Sequence, residues 1–189
     1  MLDLEDLACH RGSVLGLLPD QPQPSQKRFD TLVWEHLRRF DPARPVYVEG
    51  ESRKIGLLRV PEALIDRMQD HGEVLRVETP DAARLGLLLE DYGFFGDQVE
   101  VFCRQVGALV ELRGRAQVQA WQAAAREGRW GEVFMDLAHR HYDPIYLKSM
   151  AQTFAGFARA TEVALPDLAE ATLDATALHL IADEGRGPA

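Results

Sequence analysis

Residues 45–49 (PVYVE) and 74–78 (VLRVE) are short β-branched runs, and segments of helical periodicity lie between and after them. That alternation constrains the fold more than any other feature of the chain. Strand–helix–strand order is met by a parallel sheet with helices on its faces. Residues 2–5 alternate apolar and acidic side chains and read as a first short strand. Residues 10–24 read as loop, because Gly12 and Gly16 interrupt any pattern and Pro19, Pro22 and Pro24 exclude regular structure. Phe29, Leu32, Val33, Leu37 and Phe40 then recur at helical spacing, so residues 25–40 form an amphipathic helix. Ser25 is its expected cap, and Asp41-Pro42 its stop. Residues 61–69 read as a helix with proline in the first turn. Thr79-Pro80-Asp81 opens another, through about Tyr92.

From Gly96 to Gly156 the pattern turns helical. Trp130, Val133, Phe134, Leu137 and His141 share one face. Tyr146, Met150, Phe154 and Phe157 share another, after an expected break at Asp143-Pro144. Both stripes read as core. Residues 161–165 read as a late strand, 167–182 as a last helix and 184–189 as a tail. The expectation is an α/β domain over residues 1–165, with a helical subregion at about 96–160. A C-terminal helix and tail over 166–189 complete it.

Composition narrows the classes. The 189 residues carry 21 Lys+Arg against 30 Asp+Glu, a net charge of −9. At 46% hydrophobic the chain reads as globular rather than disordered. It has neither an apolar run of transmembrane length nor a basic, apolar-cored leader, so the expected location is the cytoplasm, with no membrane partner. Two cysteines, Cys9 and Cys103, make neither a disulfide scaffold nor a zinc site by themselves. The charge is uneven. Residues 1–67 hold 10 basic and 11 acidic side chains, and residues 68–189 hold 11 and 19. Anion contacts therefore belong to the first third, although the overall acidity argues against a protein that simply coats nucleic acid.

Three stretches could carry chemistry. In Cys9-His10-Arg11-Gly12-Ser13, just past the first expected strand, Arg11 offers a fork of donors. Gly12 allows close backbone approach, and Ser13 adds a donor. The competing reading is an ordinary turn with a surface arginine. A Cys9–His10 thiolate pair is disfavoured, since neighbours in extended chain point apart. In Gln23-Pro24-Ser25-Gln26-Lys27-Arg28, a helix start with two cations suits a phosphate. It equally suits a capped helix with exposed basic residues. In Glu49-Gly50-Glu51-Ser52-Arg53-Lys54-Ile55-Gly56, a strand ending in a carboxylate is similar to the metal-holding strand of phosphate-transfer enzymes. Glu49 or Glu51 would serve as base or hold a metal water, and Ser52, Arg53 and Lys54 would bind phosphate. A self-neutralising turn is the alternative. His139 and His141, two apart on a helix, should not chelate one metal. No G-x-x-x-x-G-K-[ST] occurs in the chain, so it holds no P-loop.

The segments LDLEDLACHRGS, QPQPSQKRFD and PVYVEGESRKIG…VP, in this order and spacing, resemble the C-terminal P-loop domain of bacterial tRNA 2-selenouridine synthases. HYDPIY is also similar, and the resemblance covers roughly residues 1–160. It implies an incomplete P-loop NTPase-like parallel sheet flanked by helices, with a mainly helical C-terminal half. The implied activity is a transferase acting on the wobble 2-thiouridine of tRNA. Geranyl diphosphate and selenophosphate would be co-substrates: geranylation makes the sulfur a better leaving group, and selenium replaces it. By position, Arg11, Gly12, Ser13, Ser52, Arg53 and Lys54 would hold phosphate, with Gln26 a polar contact. Glu49, Glu51 and His10 would be the acid–base or metal-organising groups, with Mg2+ an optional ion and no protein-held metal otherwise. Aromatic helices after residue 94 would wall an apolar pocket.

Members of that family run through a rhodanese-like domain and a Walker-type loop before the LDLE segment. The resemblance therefore implies a truncated chain, in which neither Cys9 nor Cys103 takes the rhodanese cysteine's role. A missing central strand would cost more than the whole of a domain's typical ~5–15 kcal/mol stability. The expectation is a chain that is poorly folded or repaired by oligomerisation, and inactive alone. The alternative is a non-catalytic tRNA- or phosphate-binding remnant.

Overall fold

The acidic residues at the start of the chain make a helix, not the expected strand. Asp3 caps it: its carboxylate accepts the Asp6 N–H at 2.8 Å, and helix α1 runs Leu4–Ala8. Glu5 and Asp6 lie in the first turn, where carboxylates favour a helix. The period-2 pattern of residues 2–5 is thus a capping signal in disguise. The parallel pairing with residues 45–49 survives as one bridge, Leu2 to Val48, with the Leu2 N–H donating to the Tyr47 carbonyl at 2.8 Å. Residues 45–49 accordingly make no ladder of their own.

The computed structural model describes residues 1–18, 21–50 and 53–184. The chain divides into two units: residues 1–72 with 149–155, and residues 73–148 with 156–189. In the first unit, helix α2 (Gln26–Leu37) is capped as expected, with Ser25 Oγ accepting the Arg28 N–H at 3.3 Å. A small antiparallel hairpin follows, β1 (Lys54–Ile55) with β2 (Leu58–Arg59). Helix α3 (Glu62–His71) comes next, with Pro61 as its N-cap residue. Phe29 and Val33 of α2, Ile55 and Leu58 of the hairpin and Ile65 of α3 close over Leu2, Leu4 and Ala8. The hairpin was not expected, because two-residue strands carry too little pattern to be read.

The second unit holds the one parallel pair among the described residues. Strand β3 (Leu75–Glu78) is followed by helix α4 (Asp81–Asp91) and a 3-10 turn (Gly93–Gly96). Helices α5 (Val99–Gly107), α6 (Val110–Arg113), α7 (Arg115–Arg126), α8 (Trp130–Leu137) and the start of α9 (Asp143–Thr153) come next, residues 149–153 of α9 counting with the first unit. Strand β4 (Thr161–Ala164) returns parallel to β3, with Leu75 opposite Thr161 and Glu78 opposite Ala164. Helix α10 (Glu170–Glu184) ends the described chain. The structure is therefore a mixed α/β chain, mainly helical in its second half, with a parallel pair rather than a wide sheet.

The aromatic stripe after residue 94 is core. Phe95 and Phe102 are fully buried. Phe95, Trp130 and Phe134 pack on Phe102 at ring separations of 5.4, 5.2 and 6.5 Å. Tyr146 departs from the expected second stripe and is 53% exposed.

No break occurs at Asp143-Pro144. A π-turn spans Ala138–Tyr142, with the Asp143 N–H reaching back to the Ala138 carbonyl, and α9 starts at once. Pro144 falls in the first turn of α9, where a missing N–H costs least. His141 is buried in the π-turn, its Nδ1 accepting from Arg113 Nε at 3.0 Å. His139 faces Asp81 instead, at 3.0 Å. The two imidazoles diverge, as their spacing predicts. Among the described residues no helix is long and apolar enough to cross a membrane.

Asp136 ties three elements of this unit together. Its carboxylate accepts from Trp121 Nε1 at 2.8 Å, Gln117 Nε2 at 2.9 Å and Arg140 Nε at 2.5 Å. Asp136→Ala should destabilise the chain by about 2–3 kcal/mol, since the buried Trp121 N–H loses a charged acceptor. Arg126→Ala, which removes a solvent-exposed pair with Glu100, should shift stability far less. Urea midpoints of the two variants check the ranking.

Candidate functional site

His10 lies at the centre of the first unit's loops. Its N–H donates to the Glu5 carbonyl at 3.1 Å beyond the end of α1, and its backbone bridges to Leu17. Between these points the chain turns tightly. Ser13 Oγ accepts the Leu15 N–H at 3.2 Å, and the Ser13 carbonyl accepts the Gly16 N–H at 2.9 Å. Gly12 sits at a positive φ of 62° and is exposed. Ser13 and Gly12 therefore shape a turn.

The imidazole of His10 is only 5% exposed and is confined between two glycines. A Cβ on Gly16 would meet its Cε1 at 2.8 Å and Nδ1 at 2.9 Å. A Cβ on Gly56 would meet its Cδ2 and Nε2 at 2.8 Å. Neither position admits a side chain without moving the ring. Burial pushes the His10 pKa below the ordinary 6.5. Its Nδ1 has no hydrogen-bond partner among the described residues.

Two glutamines hold the hairpin against this loop. Gln23 Nε2 donates to the carbonyls of Ala8 at 3.3 Å and Ile55 at 3.0 Å, and its Oε1 accepts the Leu57 N–H at 2.8 Å. Gln26 Nε2 donates to the Arg59 carbonyl and to Asp30, both at 2.8 Å, while its Oε1 accepts the Arg59 N–H at 2.8 Å. The Gln26 amide is thus engaged on both sides within the chain. Gln23 opens the second candidate stretch, but the sequence gives it no role of its own. The signal was there in retrospect: a glutamine between Pro22 and Pro24 is held on a stiff segment, so fixing its side chain costs less entropy. Gly56 was also legible, as the glycine of a two-residue hairpin loop requiring a positive φ, here 57°.

The structure separates Glu49 from His10. Glu49 Oε1 accepts the Glu5 N–H at 2.8 Å, at the opposite end of α1 from the imidazole. Burial raises its pKa, backbone donors from Glu5 and Leu4 oppose the rise, and the nearby Asp3 charge adds to it. Its Oε2 is buried without a partner among the described residues. Glu51 and Ser52 lie outside the described residues.

The candidate cations are dispersed around the hairpin. Arg53 is exposed and pairs loosely with Glu62 and Asp66 of α3, both at 3.9 Å. Lys54 stands directly across the ladder from Arg59, and both are exposed. Arg11 is half-buried beside the His10 turn, where its N–H donates to the Gly16 carbonyl at 2.9 Å. Among the described residues no group of three or more His, Cys, Asp or Glu could hold a metal ion. Glu49, with one oxygen bonded and the other closed to solvent, does not fit a dedicated Mg2+ cage. Cys9 caps α1 in the left-handed region, and Cys103 is buried with its thiol pKa pushed up. A raised pKa keeps the Cys103 thiol protonated, which disfavours a nucleophilic role for it.

A mixed α/β chain in which three separate loop segments meet around one buried imidazole is the class this structure defines. Residues 1–123 match the family described as the tRNA 2-selenouridine synthase AAA domain, and the chain belongs to that family. The tRNA 2-selenouridine synthase of Nitrosomonas europaea is 36% identical over 95 residues, covering 49% of this chain and 24% of the relative. That of Shewanella denitrificans is 40% identical over 95 residues, covering 48% and 25%. The match thus spans about a quarter of the length of these relatives. No solved structure matches the chain.

Gly56→Ala should be among the most damaging single changes in this unit. It forces a Cβ onto Gln23 Oε1 and to 2.8 Å from the imidazole, at a φ that disfavours side chains. A loss of about 2–4 kcal/mol is expected, against about 1 kcal/mol for Gly12→Ala. Equilibrium unfolding of both variants checks this. The pH response follows from the lowered pKa values of His10 and His141, the latter depressed by burial and by Arg113. Below about pH 6.5 the unfolded chain takes up protons that the folded chain refuses, so these residues make stability fall as pH drops. The melting temperature of His10→Asn should decline less between pH 7.5 and 5.5 than that of the natural chain.

Proposed function

We propose that the chain serves in replacing sulfur by selenium at the wobble 2-thiouridine of tRNA, as its family membership suggests. The observation that supports this reading is the convergence of residues 8–16, 23–26 and 54–59 on His10 through Gln23 and the two glycines. Those are the segments an anion-handling site of such an enzyme would need together. In this reading a diphosphate leaving group lies along the hairpin, with Arg53 and Lys54 donating to it and Arg11 and the Ser13 turn facing it. Ser52 joins them. Cationic donors stabilise the charge that develops as a carbon–oxygen bond to diphosphate breaks. Geranyl diphosphate and selenophosphate are the proposed co-substrates, and an incomplete P-loop-like domain the proposed framework. The proposed location is the cytoplasm, where tRNA is modified.

His10, held neutral by burial, is suited to accept or pass a proton near neutral pH. Glu49 or Glu51 is the proposed carboxylate partner. A raised pKa places Glu49 closer to a working acid, although its present bond to the Glu5 N–H must loosen first. These 189 residues contain no G-x-x-x-x-G-K-[ST] loop. We therefore propose that the chain by itself binds anionic substrate without completing the exchange.

Calorimetric titration with inorganic diphosphate, beside mass spectrometry of tRNA incubated with both co-substrates, tests the reading. The expected result is diphosphate binding without 2-selenouridine. Arg53→Gln and Lys54→Gln should each weaken it by about tenfold, the loss of one charge-assisted hydrogen bond. Absence of diphosphate binding rejects the site assignment, and formation of 2-selenouridine rejects the proposed inactivity.

A further inference from the structure

The solvent face of α2 carries a pattern that the candidate site does not use. Lys27, Thr31, Trp34 and Arg38 recur at spacings of four, three and four, so they form one narrow stripe along the helix. Trp34 is 59% exposed. The opposite face, with Phe29 and Val33, is the one that enters the core, so Trp34 has no packing role there. The Arg38 guanidinium lies over its indole at 5.0 Å from the ring centre. Lys27 is exposed and has no ion pair among the described residues. Asp30, beside the stripe, already accepts from Gln26.

An exposed indole flanked by cations is poor surface design for a soluble helix but a good platform for a planar, anionic ligand. Bases stack on aromatic faces regardless of their identity, and the flanking cations meet the phosphates. The stripe also has a direction. It begins beside Gln26, which grips the backbone of Arg59, and Arg59 faces Lys54 across the hairpin. Cations therefore continue from the helix onto the hairpin, although the whole chain carries −9. From Lys27 to Arg38 the stripe is about 16 Å long, enough for several nucleotides of a single strand.

We infer that this face of α2 binds single-stranded RNA, with an unpaired base stacked on Trp34 and its neighbouring phosphates met by Lys27 and Arg38. The choice of RNA as occupant rests on the proposed tRNA reading. Local charge complementarity points to a nucleic acid of either sugar. Bases in a duplex are stacked on each other and closed to the indole, so the strand must be unpaired, as in a loop.

The 189-residue chain is titrated with an eight-nucleotide oligouridylate and, separately, with a blunt RNA duplex of the same length. The oligouridylate should quench tryptophan emission, because Trp34 is exposed whereas Trp121 is buried. The duplex should bind more weakly and quench little. Trp34→Ala should abolish the quench and weaken single-strand binding by about tenfold, while Trp34→Phe should stay within about threefold of the natural chain. Lys27→Gln should reduce the slope of log affinity against log salt by about 0.7. Circular dichroism of Trp34→Ala checks that the fold is retained, as expected for an exposed side chain.

Unchanged single-strand affinity in folded Trp34→Ala overturns the inference. So does a change confined to self-association in sedimentation, which would make the face a contact between copies. Loss of diphosphate binding in the natural chain with stacking intact would reject the proposed chemistry and leave this surface standing. Diphosphate binding with no effect of Trp34→Ala on RNA would do the reverse.

Discussion

A single amide holds the candidate site together. Gln23 uses both of its N–H groups and its carbonyl on the backbone of two segments, the end of α1 and the hairpin tip. No backbone ladder joins those segments directly. Without the amide, the Ala8 and Ile55 carbonyls and the Leu57 N–H would turn to water, and the Gly56 wall over His10 would lose its anchor. Gln26 repeats the device one helical start later, pairing with Arg59 almost as a strand residue would. Side-chain amides thus do for this hairpin what a neighbouring strand does in a sheet.

That substitution explains why parts of the fold were legible and others were not. Helix α2 was readable because its capping serine, its apolar spacing and its limits agree. β3, α4 and β4 were readable for similar reasons of pattern and punctuation. The first segment was misread because acidic residues at alternate positions also serve as a helix cap and first turn, and five residues cannot separate the two. Glu49 was expected at the end of a strand and instead bonds the start of α1. The sequence offered its carboxylate as a base or metal holder, whereas the partner it has in the fold lies 44 residues away, beyond any local pattern. The three loop stretches were found one by one. Their meeting around His10 was not legible, since it depends on the side-chain amide of Gln23 bonding segments 15 and 32 residues away.

The charge distribution takes on a sharper meaning in three dimensions. Cations at positions 27, 38, 54 and 59 are scattered in the sequence, yet the helix period and the hairpin register place them along connected surfaces of one unit. Like charges opposite one another in a ladder are mildly unfavourable, so Lys54 facing Arg59 weakens the hairpin it decorates. In the second unit Arg84 is matched by Asp143, Arg126 by Glu100, and Arg129 by Glu127 and Glu132.

The π-turn at Ala138–Tyr142 fits one residue more into the helical rod than regular winding needs. The wide turn takes up that residue locally, and it does so just before a proline. In a regular helix the ring of Pro144 would meet the carbonyl four residues back, and its missing N–H would leave that carbonyl without a partner. The extra residue thus makes room for a proline that an unbroken α-helix would reject.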